Sequence, residues 1–340
     1  MSARKSNFEL MRIFLMLMVV AGHLTINSGK LGSLGTADYY VANICRSFCM
    51  FSVNAFVLLS GYFGVKLNVR KLIHLTLKVA FYTYFFFILS LLLGIHQLDL
   101  MKDIQLLIPI ITKKYWFITI YFVLCIFSPY LNRLLEMLSE KELKHLLILG
   151  FVVFYLIATF CFAINADQIA TDAGYGFLNF IYLYCLGFYI RHYYKDAHSA
   201  HYYFVLYIAC SVILFIANHF MTSVLGFYFN SFISYNTVFV LAGAVSLFMC
   251  FKNLNIKTNN FLNHCASRSF FVFIIHSAPY FAHYIFVDYL KLNSYSGLHL
   301  AVVFIVLPFA VYAVCWLIDY VTDFLMKPIY HLINKLPLSR

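Results

Sequence analysis

Three polar side chains interrupt the first apolar run, residues 8–23 (FELMRIFLMLMVVAGH), and their types could do chemistry at two depths of a membrane. A helix turns about 100° and rises about 1.5 Å per residue, so Arg12 and His23 share one face and lie about 16 Å apart along the axis. Glu9 lies about 40° from His23 on the same side. The sequence therefore predicts one polar stripe along this helix.

The stripe suits acid–base or nucleophilic chemistry at one depth and anion binding at the other. An imidazole can take a proton from a hydroxyl or carry an acyl group, and a guanidinium can hold a phosphate or a carboxylate. A structural interpretation fits the geometry equally well. In that case His23 is hydrogen-bonded to a neighbouring helix, and Arg12 extends to the interface with Glu9 as its i,i+3 partner.

The elements that must position these residues are membrane-spanning helices. The chain has 340 residues, of which 63% are hydrophobic and 11% are charged, and its mean hydropathy is +0.84. A soluble domain has roughly 25% charged residues, so this chain cannot coat a soluble surface. Its apolar runs reach about 18 residues, the length that spans hydrocarbon, whereas a β-barrel would show short alternating segments. We expect an all-α fold, a polytopic membrane helix bundle.

The apolar runs predict about ten transmembrane helices in a single domain that covers residues 1–340. The expected spans are 8–26, 41–63, 72–94, 115–135, 145–163, 175–193, 202–220, 230–250, 262–287 and 298–320. With a cytoplasmic N-terminus, the outer segments contain only a few of the 24 Lys and Arg residues, namely Lys30, Lys102, Lys113, Lys114 and Lys291, with Arg46 near the outer end of the second span. This bias follows the positive-inside rule and predicts that both termini are cytoplasmic.

Other classes of chemistry have little support in the sequence. The net charge is +11, but the basic residues lie mainly in the segments predicted to be on one side of the membrane. We therefore do not expect a nucleic-acid partner. The nine cysteines lie mostly inside apolar runs and do not form a disulfide framework. Cys45 and Cys49 share a helix face, but no His or acid nearby completes a ligand set. We therefore expect two packed thiols there and no metal site.

The R-x10-H pattern formed by Arg12 and His23 resembles the signature of acyltransferase family 3, whose members are integral membrane acyltransferases that modify cell-surface glycans. Further motifs resemble the family in the order expected along the chain. They are FVLLSGYF (56–63), the basic pair Arg70 and Lys71, YWFITIYFVLCIFSPYLN (115–132), SFFVFIIHSAPYF (269–281) and WLID (316–319). The resemblance covers most of the chain, with weak matches between residues 135 and 260.

The resemblance implies an integral membrane O-acyltransferase. Such an enzyme draws an acyl group, most often acetyl, from cytoplasmic acyl-CoA and passes it to a hydroxyl of an extracytoplasmic cell-surface or cell-wall polysaccharide. Acetyl-CoA would be a co-substrate, and no cofactor or metal would be permanently bound. The expected partners are acyl-CoA, the glycan acceptor and the lipid bilayer. The expected location is the bacterial cytoplasmic membrane, as a multi-pass protein.

The resemblance also implies roles for individual residues. His23 would deprotonate the acceptor hydroxyl or be transiently acylated, Arg12 would anchor a donor phosphate or stabilise the oxyanion, and Glu9 would orient Arg12. The donor would also meet Arg70 and Lys71. The expected substrate-binding residues are Ser60, Gly61, Tyr62, Trp116 and His276.

Four polar residues in or near the last two spans are expected mainly to be structural. His276 and His283 are seven residues apart and would share one helix face, although the motif around His276 keeps a functional role open for it. Asp319 and Asp323 lie near the inner end of the last span, where they would pair with Lys327 or with a neighbouring helix.

Three basic residues lie where a donor or an acceptor could reach them. Lys66 and Lys78 are near the inner face, where the phosphates of a CoA need cations, but ordinary positive-inside bias is the simpler interpretation. Arg46, near the outer face, would either meet groups of the acceptor or pair with a carbonyl.

A transporter or flippase for a lipid-linked glycan intermediate is the alternative function. A polar stripe across a membrane helix also suits conduction or a proton relay. Against this hypothesis, inverted repeats are not evident, and the 14 Gly and 6 Pro residues do not interrupt matching spans. A non-catalytic scaffold of a glycan-export complex is a third hypothesis.

Overall fold

The computed structural model of this chain describes residues 5–164, 166 and 172–335, and these residues form helices without a β-strand. The predicted all-α class is confirmed. The predicted cytoplasmic termini, residues 1–4 and 336–340, lie outside the described residues. The α-helices are α1 Ser6–Asn27, α2 Ala37–Cys49, α3 Ser52–Phe63, α4 Val69–Leu92, α5 Leu100–Asp103, α6 Trp116–Met137, α7 Glu140–Phe151, α8 Ile157–Ala163, α9 Phe177–His192, α10 Ala200–Leu225, α11 Val238–Lys252, α12 Asn260–Ala266, α13 Ser269–His276, α14 Phe281–His283 and α15 Gly297–Asn334. Short 3₁₀ helices are Ile104–Leu106, Asp172–Gly174, Ser231–Ile233 and Leu292–Ser294, and π-helices are Val152–Leu156 and Tyr284–Tyr289.

Eight helical segments within the described ranges are long and apolar enough to cross a membrane. They are Ser6–Asn27, Ala37–Phe63, Val69–Leu92, Trp116–Met137, Glu140–Ala163, Ala200–Leu225, Ser231–Lys252 and Gly297–Asn334. The predicted count of about ten spans is therefore not confirmed. The predicted span 175–193 corresponds to α9, whose 16 residues reach about 24 Å. That length falls short of a hydrocarbon core of about 30 Å.

The predicted span 262–287 is broken in the structure. Asn260–His276 and Phe281–Ser294 meet at a bend of 95°, and they make a ninth crossing only if the bent pair counts as one span. Pro279 has no backbone donor at this point. Tyr280 has a φ of 63°, which is uncommon for a residue with a side chain. These two residues explain why the apolar run does not continue as one helix.

Helix α1 runs through the interior of the bundle. It packs against α2, α3, α11, α12, α13 and α15. Two opposite sides of α1 are completely buried in these contacts, Met11 and Leu15 on one side and Val20 and Leu24 on the other. The neighbouring helices therefore fix both the position and the rotation of α1, and with them the direction in which its polar stripe points.

Four charged side chains among the helices neutralise one another. The Nζ atom of Lys78 on α4 lies 2.6 Å from a carboxylate oxygen of Asp319 and 2.6 Å from one of Asp323, both on α15. Nη1 of Arg268, the residue before α13, lies 2.7 Å from Asp319 and 2.5 Å from Asp323. The two aspartates were predicted to pair with Lys327 or a neighbour, and Lys78 and Arg268 are those neighbours. Because an uncompensated buried charge costs several kcal/mol, this cluster fixes α4, α13 and α15 together.

Helix α9 lies directly against the backbone of α3. A Cβ atom at Gly187 would clash with the carbonyl oxygen of Leu58 and lie 2.8 Å from the backbone nitrogen of Tyr62. A Cβ atom at Gly61 would clash with the carbonyl oxygen of Tyr184. Small residues at helix interfaces permit this kind of backbone contact within membranes. The two glycines therefore set the distance between α3 and α9.

Replacing Gly187 with Ala should push α3 and α9 apart, because the atoms that the new methyl group meets belong to the backbone. We expect this overpacking to lower the free energy of unfolding by about 1–3 kcal/mol, measured as a lower melting temperature of the detergent-solubilised protein. Gly22→Ala is the matched control, since its nearest contact would be Cys49 Cβ at 3.6 Å. Equal melting temperatures for the two variants would contradict the proposed backbone contact.

Candidate active site

A cavity of about 900 Å³ follows the polar stripe of α1. Residues of α1 line it from Phe8 to Ile26, which is about 27 Å of helix and close to the hydrocarbon thickness of about 30 Å. Residues of α2, α3, α6 and α13, the start of α4 and several connecting segments line the rest of the wall. Glu9, Arg12 and His23 all belong to the lining, so the predicted stripe faces a cavity.

Two imidazole rings are hydrogen-bonded beside this cavity. Nδ1 of His23 lies 2.9 Å from Nε2 of His276, and Nδ1 of His276 lies 2.7 Å from the carbonyl oxygen of Val272. A carbonyl oxygen only accepts, so Nδ1 of neutral His276 carries the proton and its Nε2 is the acceptor. The hydrogen-bond network thus assigns the proton of His23 to Nδ1 and leaves a lone pair on Nε2.

This tautomer gives His23 the properties of a base or a nucleophile. The lone pair on Nε2 can take a proton from a hydroxyl or attack an acyl carbon. His276 is 5% exposed and does not line the cavity, so it acts by holding the ring of His23. In many such sites a neighbouring group orients the catalytic base, and His276 is the group that contacts His23 here.

His283, seven residues after His276, is not part of this arrangement. His276 is the last residue of α13, whereas His283 lies beyond the 95° bend and is exposed. The prediction that the two histidines share one helix face is therefore wrong, because it assumed that the helix continues through Pro279.

Basic side chains gather at one end of the cavity. This end is formed by the start of α1, the segment after α3 and the start of α4, and it is lined by Lys5, Lys66 and Lys71. Arg12 is ion-paired with Glu9, whose side chain is 6% exposed, while the side chain of Arg12 is 33% exposed. Positive charge is in excess here, which favours the binding of a polyanion.

Aromatic rings form the opposite end of the cavity. The ring centroid of Trp116 lies 4.6 Å from that of Tyr175 and 5.5 Å from that of Tyr235, and the two tyrosine rings are 4.9 Å apart. All three line the cavity together with His23 and Arg46. Such rings combine apolar faces with polar edges, which suits the two faces of a sugar ring.

Among the other residues predicted to bind substrate, Ser60 and Trp116 line the cavity. The hydroxyl of Ser60 donates to the carbonyl oxygen of Phe56 at 3.0 Å. Tyr62 is not among the lining residues, and its ring packs against that of Phe8 at a centroid distance of 5.3 Å. The serine-glycine-aromatic motif therefore contributes its serine to the cavity and its tyrosine to the packing around α1.

The remaining predicted site residues also divide into those that line the cavity and those that do not. Gly61 lies against the backbone of Tyr184 on α9 and does not line the cavity. Within the basic pair at the start of α4, Lys71 lines the cavity and Arg70 does not. The structure therefore brings Lys71 together with Arg12, and it leaves Arg70 outside the lining.

Tyr175, Tyr235 and Cys49 are among the cavity-lining residues that sequence analysis did not assign to the site. Tyr175 and Tyr235 lie in connectors before α9 and α11, within the region where the family resemblance is weak, and only a tertiary contact brings them to Trp116. Cys49 lines the cavity at the level of Gly22, next to His23. Nothing in the sequence around Cys49 indicated that it lines a cavity, since its only notable feature was its spacing from Cys45.

Comparison with models of protein families matches residues 5–320 to an acyltransferase domain, the family whose motifs the sequence resembles. No curated protein and no solved structure matches the chain. The matched range contains every residue that lines the cavity.

Cysteine accessibility tests whether this cavity holds water. Val19 lines the cavity, whereas its neighbour Val20 is fully buried and does not line it. Because a thiol reacts only where reagent and water reach it, Val19→Cys should react with a water-soluble maleimide about tenfold faster than Val20→Cys. Peptide mass spectrometry distinguishes the new thiol from the nine native cysteines. Equal rates would mean that water does not enter the cavity along α1.

Proposed function

This chain belongs to acyltransferase family 3, and on that basis we propose that it moves an acyl group, acetyl in the simplest case, from cytoplasmic acyl-CoA to a hydroxyl of an extracytoplasmic cell-surface or cell-wall polysaccharide. Family membership and the apolar helices make it a multi-pass membrane acyltransferase. The acyl group, donor and acceptor are our inference. The observation that carries it is one cavity with His23 near one end and a basic cluster at the other.

We assign the basic end of the cavity to the cytoplasmic side of a bacterial cell membrane. Lys5, Lys66 and Lys71 lie in inner segments when the positive-inside rule is applied. In this orientation His23 lies in the outer half of the membrane, about 16 Å from Arg12 along α1. A donor from the cytoplasm and an acceptor from outside would then enter the same cavity from opposite ends.

The separation along α1 divides the roles of Arg12 and His23. A CoA thioester has its phosphates at one end and its reactive carbonyl at the other, joined by a long pantetheine arm. Arg12 and Lys71 are suited to the phosphates, and the arm would follow the apolar middle of the cavity towards His23. Because about 16 Å separates the two side chains along the helix, we assign Arg12 to anchoring the donor and not to the oxyanion. Glu9 holds the guanidinium in place.

The proposed reaction uses the lone pair on Nε2 of His23. In direct transfer this nitrogen takes the proton of the sugar hydroxyl, the oxygen forms a bond to the thioester carbon, and the carbon–sulfur bond breaks. The proton then passes from Nε2 to the departing thiolate, so that free CoA leaves. In the two-step route the same nitrogen first attacks the thioester carbon, and the carbon–sulfur bond breaks to release the CoA thiolate. The sugar oxygen then bonds to the acyl carbon, the carbon–nitrogen bond breaks, and the hydroxyl proton ends on the thiolate. His276 holds the ring in the required tautomer for either route.

Replacing His23 with Gln should abolish the acyl modification, because an amide cannot take the hydroxyl proton. We expect the acylated fraction of the surface glycan to fall by about 10²–10⁴. Mass spectrometry of glycan from cells with the gene, without it and with each variant measures the acyl mass. His283→Gln is the matched control, since His283 is exposed beyond the bend. An acyl mass that persists in the His23 variant, or wild-type protein that does not consume acyl-CoA, would contradict the proposed function and favour the transporter hypothesis.

His276 should be a positioning residue for His23. Replacing His276 with Ala removes the acceptor of the Nδ1 proton, and we expect kcat to fall by about 10–100-fold while the KM for acyl-CoA changes little. His276→Gln retains an acceptor oxygen and should recover part of the rate. Ser277→Ala is the control, because it removes only a hydrogen bond to the carbonyl oxygen of Phe273 on the same helix. Equal losses for Ala and Gln at position 276 would exclude the orienting role.

A further inference from the structure

Arg46 is a cavity-lining cation for which the described part of the chain provides no carboxylate partner. Arg12 is paired with Glu9, and Arg268 is paired with two aspartates. The buried Nε of Arg46 has no hydrogen-bond partner, and no carboxylate in the described part of the chain forms an ion pair with the side chain. A charge within a membrane protein is costly unless it is paired or serves a ligand.

The position of Arg46 indicates which molecule could be such a ligand. Arg46 lies on α2 and lines the cavity near His23. His23, Tyr175 and Tyr235 line the same cavity. Any molecule whose hydroxyl meets His23 between these aromatic rings therefore lies close to a guanidinium that has no counter-ion among the described residues.

We propose, on the basis of the proposed function, that Arg46 binds an anionic group of the acceptor, so that the acceptor is an acidic sugar bearing a carboxylate or a phosphate. A guanidinium matches the geometry of both groups through paired N–H donors. Trp116, Tyr175 and Tyr235 pack against the apolar face of the sugar ring, and Arg46 holds its anionic substituent. The hydroxyl to be acylated is thereby presented to His23, while the anionic group itself is not altered.

A role of Arg46 on the oxyanion is the competing interpretation, and kinetics separate the two. A group that stabilises the oxyanion lowers kcat for every acceptor when it is removed. A group that binds the charge of the acceptor raises the KM for acidic acceptors and leaves neutral acceptors unaffected. The test therefore compares acceptors that differ only in charge.

The experiment uses the full-length protein with acetyl-CoA and surface glycan extracted from cells that lack the gene. One portion of glycan is untreated, a second has its carboxylates converted to neutral amides with a carbodiimide, and a third has its phosphates removed with hydrofluoric acid. We expect the kcat/KM of the wild type to fall about 10–100-fold on one of the two neutralised glycans. Arg46→Gln should show the same loss on untreated glycan and no further loss on the neutralised one. Lys30→Gln, which removes an outer cation paired with Asp38, should behave as wild type.

The outcomes separate this inference from the proposed function. Transfer by the wild type to untreated glycan supports the proposed function whatever the effect of charge. Equal kcat/KM of the wild type on all three glycans would overturn the assignment of Arg46, as would an equal loss for Arg46→Gln on untreated and neutralised glycan. No transfer by the wild type to any glycan would overturn both proposals.

Discussion

Hydrocarbon cannot solvate a charge, and this constraint divides the charged side chains of the bundle into two groups. Lys78, Arg268, Asp319 and Asp323 neutralise one another and tie α4, α13 and α15 together. The charged side chains of the stripe line the cavity instead. The two groups are physically connected, because Arg268 precedes α13 and the last residue of α13 is His276. The ion cluster thereby helps to hold the ring that orients His23.

Helix α1 serves as the common wall of the site because its apolar residues are enclosed by neighbouring helices on two sides. Met11, Leu15 and Val20 are completely buried, so α1 cannot rotate without exposing them or burying charge. Every residue of the stripe then has a fixed depth and direction. Around this wall, the glycine contacts between α3 and α9 hold the helix that carries Ser60, and the start of α4 supplies Lys71. The rigidity of the site follows from packing that lies outside it.

Local pattern predicted the all-α class and the shared face of Arg12 and His23, because both depend on composition and helical periodicity along one segment. The break at Pro279 and Tyr280 was not predicted, since the surrounding residues remain apolar on both sides of the bend. The partners of Asp319 lie on other helices, and the aromatic end of the cavity combines connectors far apart in the chain. The role of His276 needed the hydrogen bond to His23, which no spacing within α13 could reveal. Residues whose roles depend on long-range contacts thus required the structure.

The fixed separation of Arg12 and His23 bears on the choice between a transferase and a transporter. A transporter must close each side of its site in turn, which requires two parts of the molecule that move against each other. Here the two ends of the stripe belong to one helix, and that helix is packed on several neighbours that are themselves joined by buried ion pairs. Such a scaffold keeps the basic end of the cavity and the imidazole of His23 at a constant distance. It suits the reaction that we propose, in which only the acyl group passes between compartments, because neither the proposed donor nor the proposed acceptor then needs to cross the bilayer.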